Sequence, residues 1–462
     1  MKLNPRYKNM SYIIITLILF GCGGSSNDSH ENGYIQFYNG SYNSPNTTLV
    51  IEDVIRTGAN FGEVSTRHGY QADTYEISYE HQKDDGDWKS IYQQDIKIDS
   101  GYKQLLLMTG DFKNPDFTEV TIKNIDVNDK NIFNLSFINT IRSDVNFDVY
   151  MAVDNTSFSE AKLITTTTSL MESDFINYSP NSYTFYMTKS GENEVIFSSE
   201  QTSFYEGSSY LAIIRDGLSV ADNSIIIDIV SDTNHTTTLK HSDAKGQIHF
   251  YNSLNLYDNV TFTATNLNNS TAPIIADTFS SYIKLPPADY SISMKDELTG
   301  KNIIDNYLIT LNHEESLAAI VYQDDNRINP SMKSITENLT PNSISHDIQI
   351  INLIDSYDDI SLNQVDVYFT KTGQSIEDTK NHAKDINKYE QKSLTIDNDI
   401  YTIQVVFDDN GQLRSLVTMT EQAFTEEGHY VLILEEIDHS ENHPGKFKVT
   451  IEHTLASAFK KY

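Results

Sequence analysis

Few residues in this chain have chemistry to offer. Cys22 is the one cysteine, so neither a disulfide nor a cysteine-ligated metal can form within the chain. His439-Ser440-Glu441-Asn442-His443 has two imidazoles four residues apart, which share a face only on a helix. Pro444-Gly445 follows at once, so a polar turn is the better reading. His235 and His241 lie in a polar join and read as solvated. Asp324-Asp325-Asn326 and Asp408-Asp409-Asn410-Gly411 could offer oxygens to calcium, but Ca²⁺ takes about six to eight, usually from several segments. An Asn-Gly turn needs positive φ for its own geometry in any case. The Gly-x-Ser-x-Gly nucleophile elbow and the phosphate-binding glycine loops are absent. The chain has 28 tyrosines, which could stack on sugars, but most recur at strand positions where packing is the default. Trp88, beside Gly86-Asp87, reads as covering the end of a sandwich, the alternative being an exposed contact residue. No catalytic residue, no metal set and no cofactor is expected, and the chain reads as a non-enzyme.

The elements that would position these residues repeat. Ile35-Gln36-Phe37-Tyr38-Asn39 returns as Leu135-Ser136-Phe137-Ile138-Asn139, as Ile248-His249-Phe250-Tyr251-Asn252 and as Ile348-Gln349-Ile350-Ile351-Asn352. The closing asparagines are 100, 113 and 100 positions apart, the length of a small domain rather than a solenoid unit. Asn39, Asn139, Asn252 and Asn352 are each expected to hydrogen-bond the following turn, a structural role and not a binding one. A second alternating strand follows in each copy: Thr48 to Ile51, Val145 to Tyr150, Val260 to Ala264 and Val365 to Phe369. Next comes a strand built on Tyr75, Tyr183, Tyr290 or Tyr401. From there to a second landmark, Tyr102, Tyr210, Leu317 or Tyr430, the spacing is 27, 27, 27 and 29.

Each second landmark opens a nearly continuous apolar run such as Leu105-Leu106-Leu107, read as a central strand buried on both faces. A last strand closes each copy: Val120 to Ile122, Ile225 to Ile229, a weak one near Met332 to Ile335, and Phe447 to Ile451. Polar joins lie near Asp126–Lys130, Thr233–Lys245 and Glu337–His346. Asp378 to Gln391 reads as a loop insertion with room for a helical turn or two. Six or seven short strands per hundred residues predict an all-β chain of four tandem immunoglobulin-like β-sandwich domains. Their expected bounds are 33–129, 130–240, 241–337 and 345–455.

The first residues are not part of that fold. Lys2, Arg6 and Lys8 precede an apolar run from Tyr12 to Phe20, too short to span a bilayer and suited to a signal peptide over 1–21. Leu19-Phe20-Gly21-Cys22 resembles the lipobox of bacterial lipoproteins. The resemblance implies that Cys22 is the lipid attachment site and that the bilayer is a partner through its acyl chains. Gly23, where such lipoproteins carry Asp for inner-membrane retention, implies the outer membrane. Residues 22–32 are then a lipidated cysteine and a polar tether of about 17 Å.

Net charge is −32, from 33 Lys and Arg against 65 Asp and Glu. Such a surface excludes nucleic acid as a partner and repels anionic headgroups. Four domains in line would reach about 130 Å.

Phe137-Ile138-Asn139, Phe147-Asp148-Val149-Tyr150, Pro180-Asn181-Ser182-Tyr183, Ser209-Tyr210, Pro286-Pro287-Ala288-Asp289-Tyr290 and Val365-Asp366-Val367-Tyr368 carry a further resemblance. Together they resemble the bacterial domain-of-unknown-function family 4397. That resemblance implies exported tandem β-sandwiches and supplies no catalytic residue. The expected function is a non-catalytic cell-envelope lipoprotein, a spacer, adhesin or scaffold with a protein or glycan partner. The alternative is a carbohydrate- or calcium-binding module of the envelope.

Overall fold

The computed structural model describes residues 32–454, apart from 84–85, 124–130, 142–144, 155, 218–224, 255, 258, 265–268, 325–329, 355, 358–359, 363 and 438–446. Strand is nearly the only regular structure, and the one helical element among the described residues is the 3₁₀ turn Phe158–Glu160. Eight main sheets divide into four consecutive sandwiches. In the first domain, Gly33–Ser41 lies between short return strands and Tyr102–Gly110, which in turn pairs with Asp116–Lys123. The facing sheet runs Val54–Ala59, Thr47–Ile51, Asp73–Gln82, Trp88–Ile98. The other three domains repeat this order around Phe133–Asn139, Gly246–Asn252 and Ser345–Asn352. Each opening strand is parallel to the apolar strand of its own domain, and the other strand pairings among the described residues are antiparallel, apart from an isolated parallel bridge between Asn139 and Ser169. A parallel pair needs a long crossover, and here the whole facing sheet lies within it.

The pairing holds one surprise for the landmark spacing. Leu135 pairs with Tyr210, Ile248 with Leu317 and Ile348 with Tyr430, but Ile35 pairs with Gln104, two residues beyond Tyr102. The first domain therefore shares the longer spacing of the fourth, and Tyr102 sits where it does by coincidence.

The repeated asparagine works as a lock. Its Oδ1 accepts the N–H two residues on: Ser41 at 3.2 Å, Ile141 at 3.0 Å, Leu254 at 3.2 Å and Ile354 at 3.0 Å. Its own carbonyl accepts an N–H from Gly62, Leu170, Asp277 or Tyr389, at 2.6–2.7 Å. All four donors have positive φ, at 79°, 58°, 63° and 62°. Three of them bear a Cβ and so hold a conformation that costs about 1–2 kcal/mol. Three residues further on, Ser65, Ser173 and Ser280 each bond the central Phe of the pentapeptide twice. The serine N–H donates to the Phe carbonyl at 2.8 Å, and the hydroxyl accepts the Phe N–H at 2.9–3.0 Å. In the fourth domain Lys392 takes that place, inside a regular ladder to Ile350.

Tyr75, Tyr183, Tyr290 and Tyr401 each donate their hydroxyl to the carbonyl four residues back, on Gln71, Ser179, Pro286 and Asp397. This is the corner by which immunoglobulin-like sandwiches fix a loop to a strand.

Three expectations need correction. Asp378 to Gln391 is not a loop with helical turns, because His382–Asn387 is a strand that sends Ala383 and Ile386 into the core against Val367 and Val365. Trp88 covers no sandwich end: it opens the strand Trp88–Ile98 and is 39% exposed. The weak strand near Met332 is a full one, Ser331–Thr336, with Met332 and Ile335 buried.

Candidate functional site

The apolar strands are buried on both faces because the domains pack back to back. In Tyr102–Gly110, Leu106 and Met108 enter the first domain's own core, while Leu105 and Leu107 point out. They meet Leu211 and Ile213 of the second domain, joined by Val120, Ile122, Ile138 and Val230. The third and fourth domains do the same with Ala318 and Ile320 against Val431 and Ile433. Each fully buried Leu or Ile contributes about 1.5–3 kcal/mol.

Each of these apolar faces surrounds a buried carboxylate. Tyr38, fourth in the first pentapeptide, donates to Asp228 Oδ2 at 2.6 Å across the first pair. Arg215 Nε donates to the same oxygen at 2.5 Å, Thr238 donates to Oδ1 at 2.7 Å, and Asp228 is wholly buried. Burial works against the Arg215 charge, but Asp228 outweighs it and holds the guanidinium protonated. The guanidinium lies 4.6 Å from the centre of the Phe61 ring. Gly62 leaves it room, since a Cβ there would stand 2.8 Å from Arg215 Nη2. Lys103, also wholly buried, donates to the Ser231 carbonyl at 2.7 Å and lies 3.5 Å from Asp232. Burial outweighs Asp232 and pulls its pKa down to about 8.

In the second pair, Tyr251 is the fourth residue of its pentapeptide and donates to Glu435. Ser253 donates to the other carboxylate oxygen at 2.7 Å, and Lys448 Nζ lies 3.2 Å from Glu435 and 2.7 Å from Asp277. Burial raises the Glu435 pKa, against the lowering pull of Tyr251 and Lys448. Tyr389 stacks on Tyr322 at 4.6 Å and donates to the Gln323 carbonyl. Three of the four left-handed residues, Gly62, Asp277 and Tyr389, therefore touch a neighbouring domain.

Ser316, Glu337 and His249 are the residue types of a nucleophilic triad. Ser316 Oγ donates to the carboxylate at 2.6 Å rather than to the imidazole, which meets Glu337 through Nε2 at 2.9 Å. All three are buried, and His249 is stacked on Tyr282 at 4.0 Å and Phe279 at 4.5 Å. A triad needs its base on the nucleophile, so this set is a packed polar network.

The first and fourth domains also touch. Ser343 donates to the Asn43 carbonyl at 3.1 Å, Asn43 donates to Glu427 at 3.0 Å, and Ile344 packs on the first domain's core. A chain with these contacts is folded back and does not extend in line. Beside them opens a cleft of about 650 Å³, between the hairpin around Lys83 and Lys89 and the segment Lys371 to Asn381.

Cys22 and His439 to His443 lie outside the described residues. His235 is exposed, and His241 Nδ1 accepts the Asp243 N–H at 3.0 Å. Asp408 accepts the Gly411 N–H, and Asn410 and Gly411 have φ of 54° and 87°, so that turn is explained by its own geometry. No cluster of three or more potential metal ligands occurs among the described residues. The buried carboxylates and their partners were missed in the sequence. Their signal was present: Tyr fills the fourth pentapeptide position in copies one and three, Ile fills it in copies two and four, and Asp228 interrupts an otherwise apolar strand.

No family model matches the chain, so the likeness to family 4397 stands on the quoted motifs alone. No curated protein matches it. Among solved structures it is similar to the Bacillus anthracis TIE protein at 8% identity, over 87% of this chain and 67% of that one, with a TM-score of 0.15, a likeness too slight to carry an argument.

Proposed function

We propose that the chain is a non-catalytic cell-envelope lipoprotein, anchored through Cys22, whose four β-sandwiches form a scaffold or adhesin for surface or periplasmic interactions. The observation that supports it is the back-to-back pairing. Residues that a ligand site would leave exposed, such as Tyr38, Arg215, Tyr251 and Glu435, are committed to holding domains together. The contact between first and fourth domains favours a compact scaffold over an extended spacer. Radiolabelled palmitate and membrane flotation test the anchor. The wild-type chain takes the label and floats, whereas Cys22→Ser does neither; an unlabelled wild type ends the lipoprotein reading. Protease added to intact cells then separates adhesin from periplasmic scaffold, because a surface protein is cut before the envelope is permeabilised.

A second reading, a carbohydrate-binding module, is favoured by the cleft between the first and fourth domains, which Lys, Asp, Asn and Gln residues line.

A further inference from the structure

The chain carries almost two acidic residues for each basic one, yet the cleft between the first and fourth domains reverses that balance. Lys83, Lys89, Lys371 and Lys380 line it with His81, against Asp378 and Asp397. The cations come from opposite walls: His81, Lys83 and Lys89 from the first domain, Lys371 and Lys380 from the fourth. Lys371 is engaged by Asp399 at 2.9 Å, and Lys83 lies 4.0 Å from Asp87. Lys89 and Lys380 are exposed and form no salt bridge among the described residues. Deeper in, His81 is only 3% exposed and its ring packs edge-on against Phe112, with centroids 5.6 Å apart. The volume lies within the range of about 300–1,000 Å³ typical of small-molecule sites.

We propose that this cleft binds an anion, and that its ligand is a carboxylate-bearing sugar. The inference rests on the carbohydrate reading above and narrows it. Free cations on facing walls suit the carboxylate. The amides of Gln374 and Asn381 and the carboxylates of Asp378 and Asp397 suit hydroxyl groups, which both donate and accept. Those two aspartates also repel a compact polyanion, which disfavours bare phosphate. Burial lowers the His81 pKa against the raising pull of the Gln82 backbone, and Lys89 and Lys83 lower it further.

The test is calorimetric titration of the full chain with three probes: trigalacturonate, uncharged maltotriose and inorganic phosphate. Trigalacturonate is expected to bind, more weakly as salt rises. The double substitution Lys89→Glu/Lys380→Glu is expected to cost about tenfold or more in affinity. Both side chains are exposed, so the variant folds, and Lys162→Glu/Lys189→Glu in the second domain, at two exposed lysines, serves as a control of equal charge change. Equal affinity for maltotriose would overturn the anion assignment while leaving the carbohydrate reading intact. Phosphate binding more tightly than the trisaccharide overturns the sugar. An unchanged affinity in the double variant overturns the cleft as the site. No heat from either sugar removes both readings together.

Discussion

The two domain pairs bury the same kind of group with different company. In the first, Asp228 is held by a buried arginine at 2.5 Å, whose guanidinium lies over Phe61. In the second, Glu435 faces Lys448, whose side chain is 24% exposed at 3.2 Å, and leans instead on Tyr251, Ser253 and Thr450. A buried charge is tolerable only when paired and fully hydrogen-bonded. The first pair meets that demand with a counter-charge, the second with hydroxyls. The contrast shows how one repeated apolar face can be made specific in two ways. Leu and Ile supply the adhesion, and the buried carboxylate dictates which face meets which.

The largest effect should come from removing the counter-charge. Arg215→Met leaves Asp228 buried with only Tyr38 and Thr238, at an expected cost of about 3–5 kcal/mol to the first pair. Lys448→Met in the second pair should cost about 1 kcal/mol or less, because its partly exposed charge is screened. Amide exchange reads the pairs separately, through Tyr102–Gly110 and Ser209–Asp216 against Ser316–Tyr322 and His429–Glu436. Loss of protection of similar size in both variants would erase the distinction. Arg215→Met combined with Asp228→Leu should recover most of the loss, since an apolar pair can replace a buried ionic one.

The tyrosines should rank the other way. Tyr38→Phe removes one of three donors from a carboxylate that keeps its arginine; Tyr251→Phe removes the donor that Glu435 depends on most. Each should cost about 1–3 kcal/mol, with Tyr251→Phe the larger. If Tyr38→Phe proves the more damaging in the same exchange measurement, the hydroxyls are not what holds the second pair.

Much of the fold was legible because it repeats. The pentapeptide, the corner tyrosines and the apolar strands recur at nearly fixed spacing, and strand period follows from alternation alone. His382–Asn387 was hidden because its inward residues are one Ala and one Ile among charges. Trp88 was misplaced because apolar size says nothing about which face of a hairpin is covered. The paired faces were half legible. A run such as Leu105-Leu106-Leu107 demands cover on both sides, but nothing local says that the cover is another copy of the same face. The cleft was least legible of all. Lys89 and Lys380 are 291 positions apart, and only contact between first and fourth domains brings them to one opening.

The most discriminating prediction uses pH, because the two pairs should respond with opposite sign. Lys103 in the first pair has its pKa lowered by burial from 10.5 to about 8. Between those values the unfolded chain holds the extra proton, so this group makes the first pair more stable as pH rises from 8. Glu435 in the second pair has its pKa raised by burial above 4.5. Above that ordinary value the folded chain holds the extra proton first, so the second pair loses stability as pH rises. One proton changes stability by at most about 1.4 kcal/mol per pH unit, which exchange protection can resolve. Other groups titrate in the same chain, so the assignment rests on two variants. Lys103→Met should flatten the alkaline rise in Tyr102–Gly110, and Glu435→Gln should flatten the fall in His429–Glu436. A slope that survives its own substitution belongs to another group, and the contrast between the two carboxylate environments would then lose its electrostatic basis.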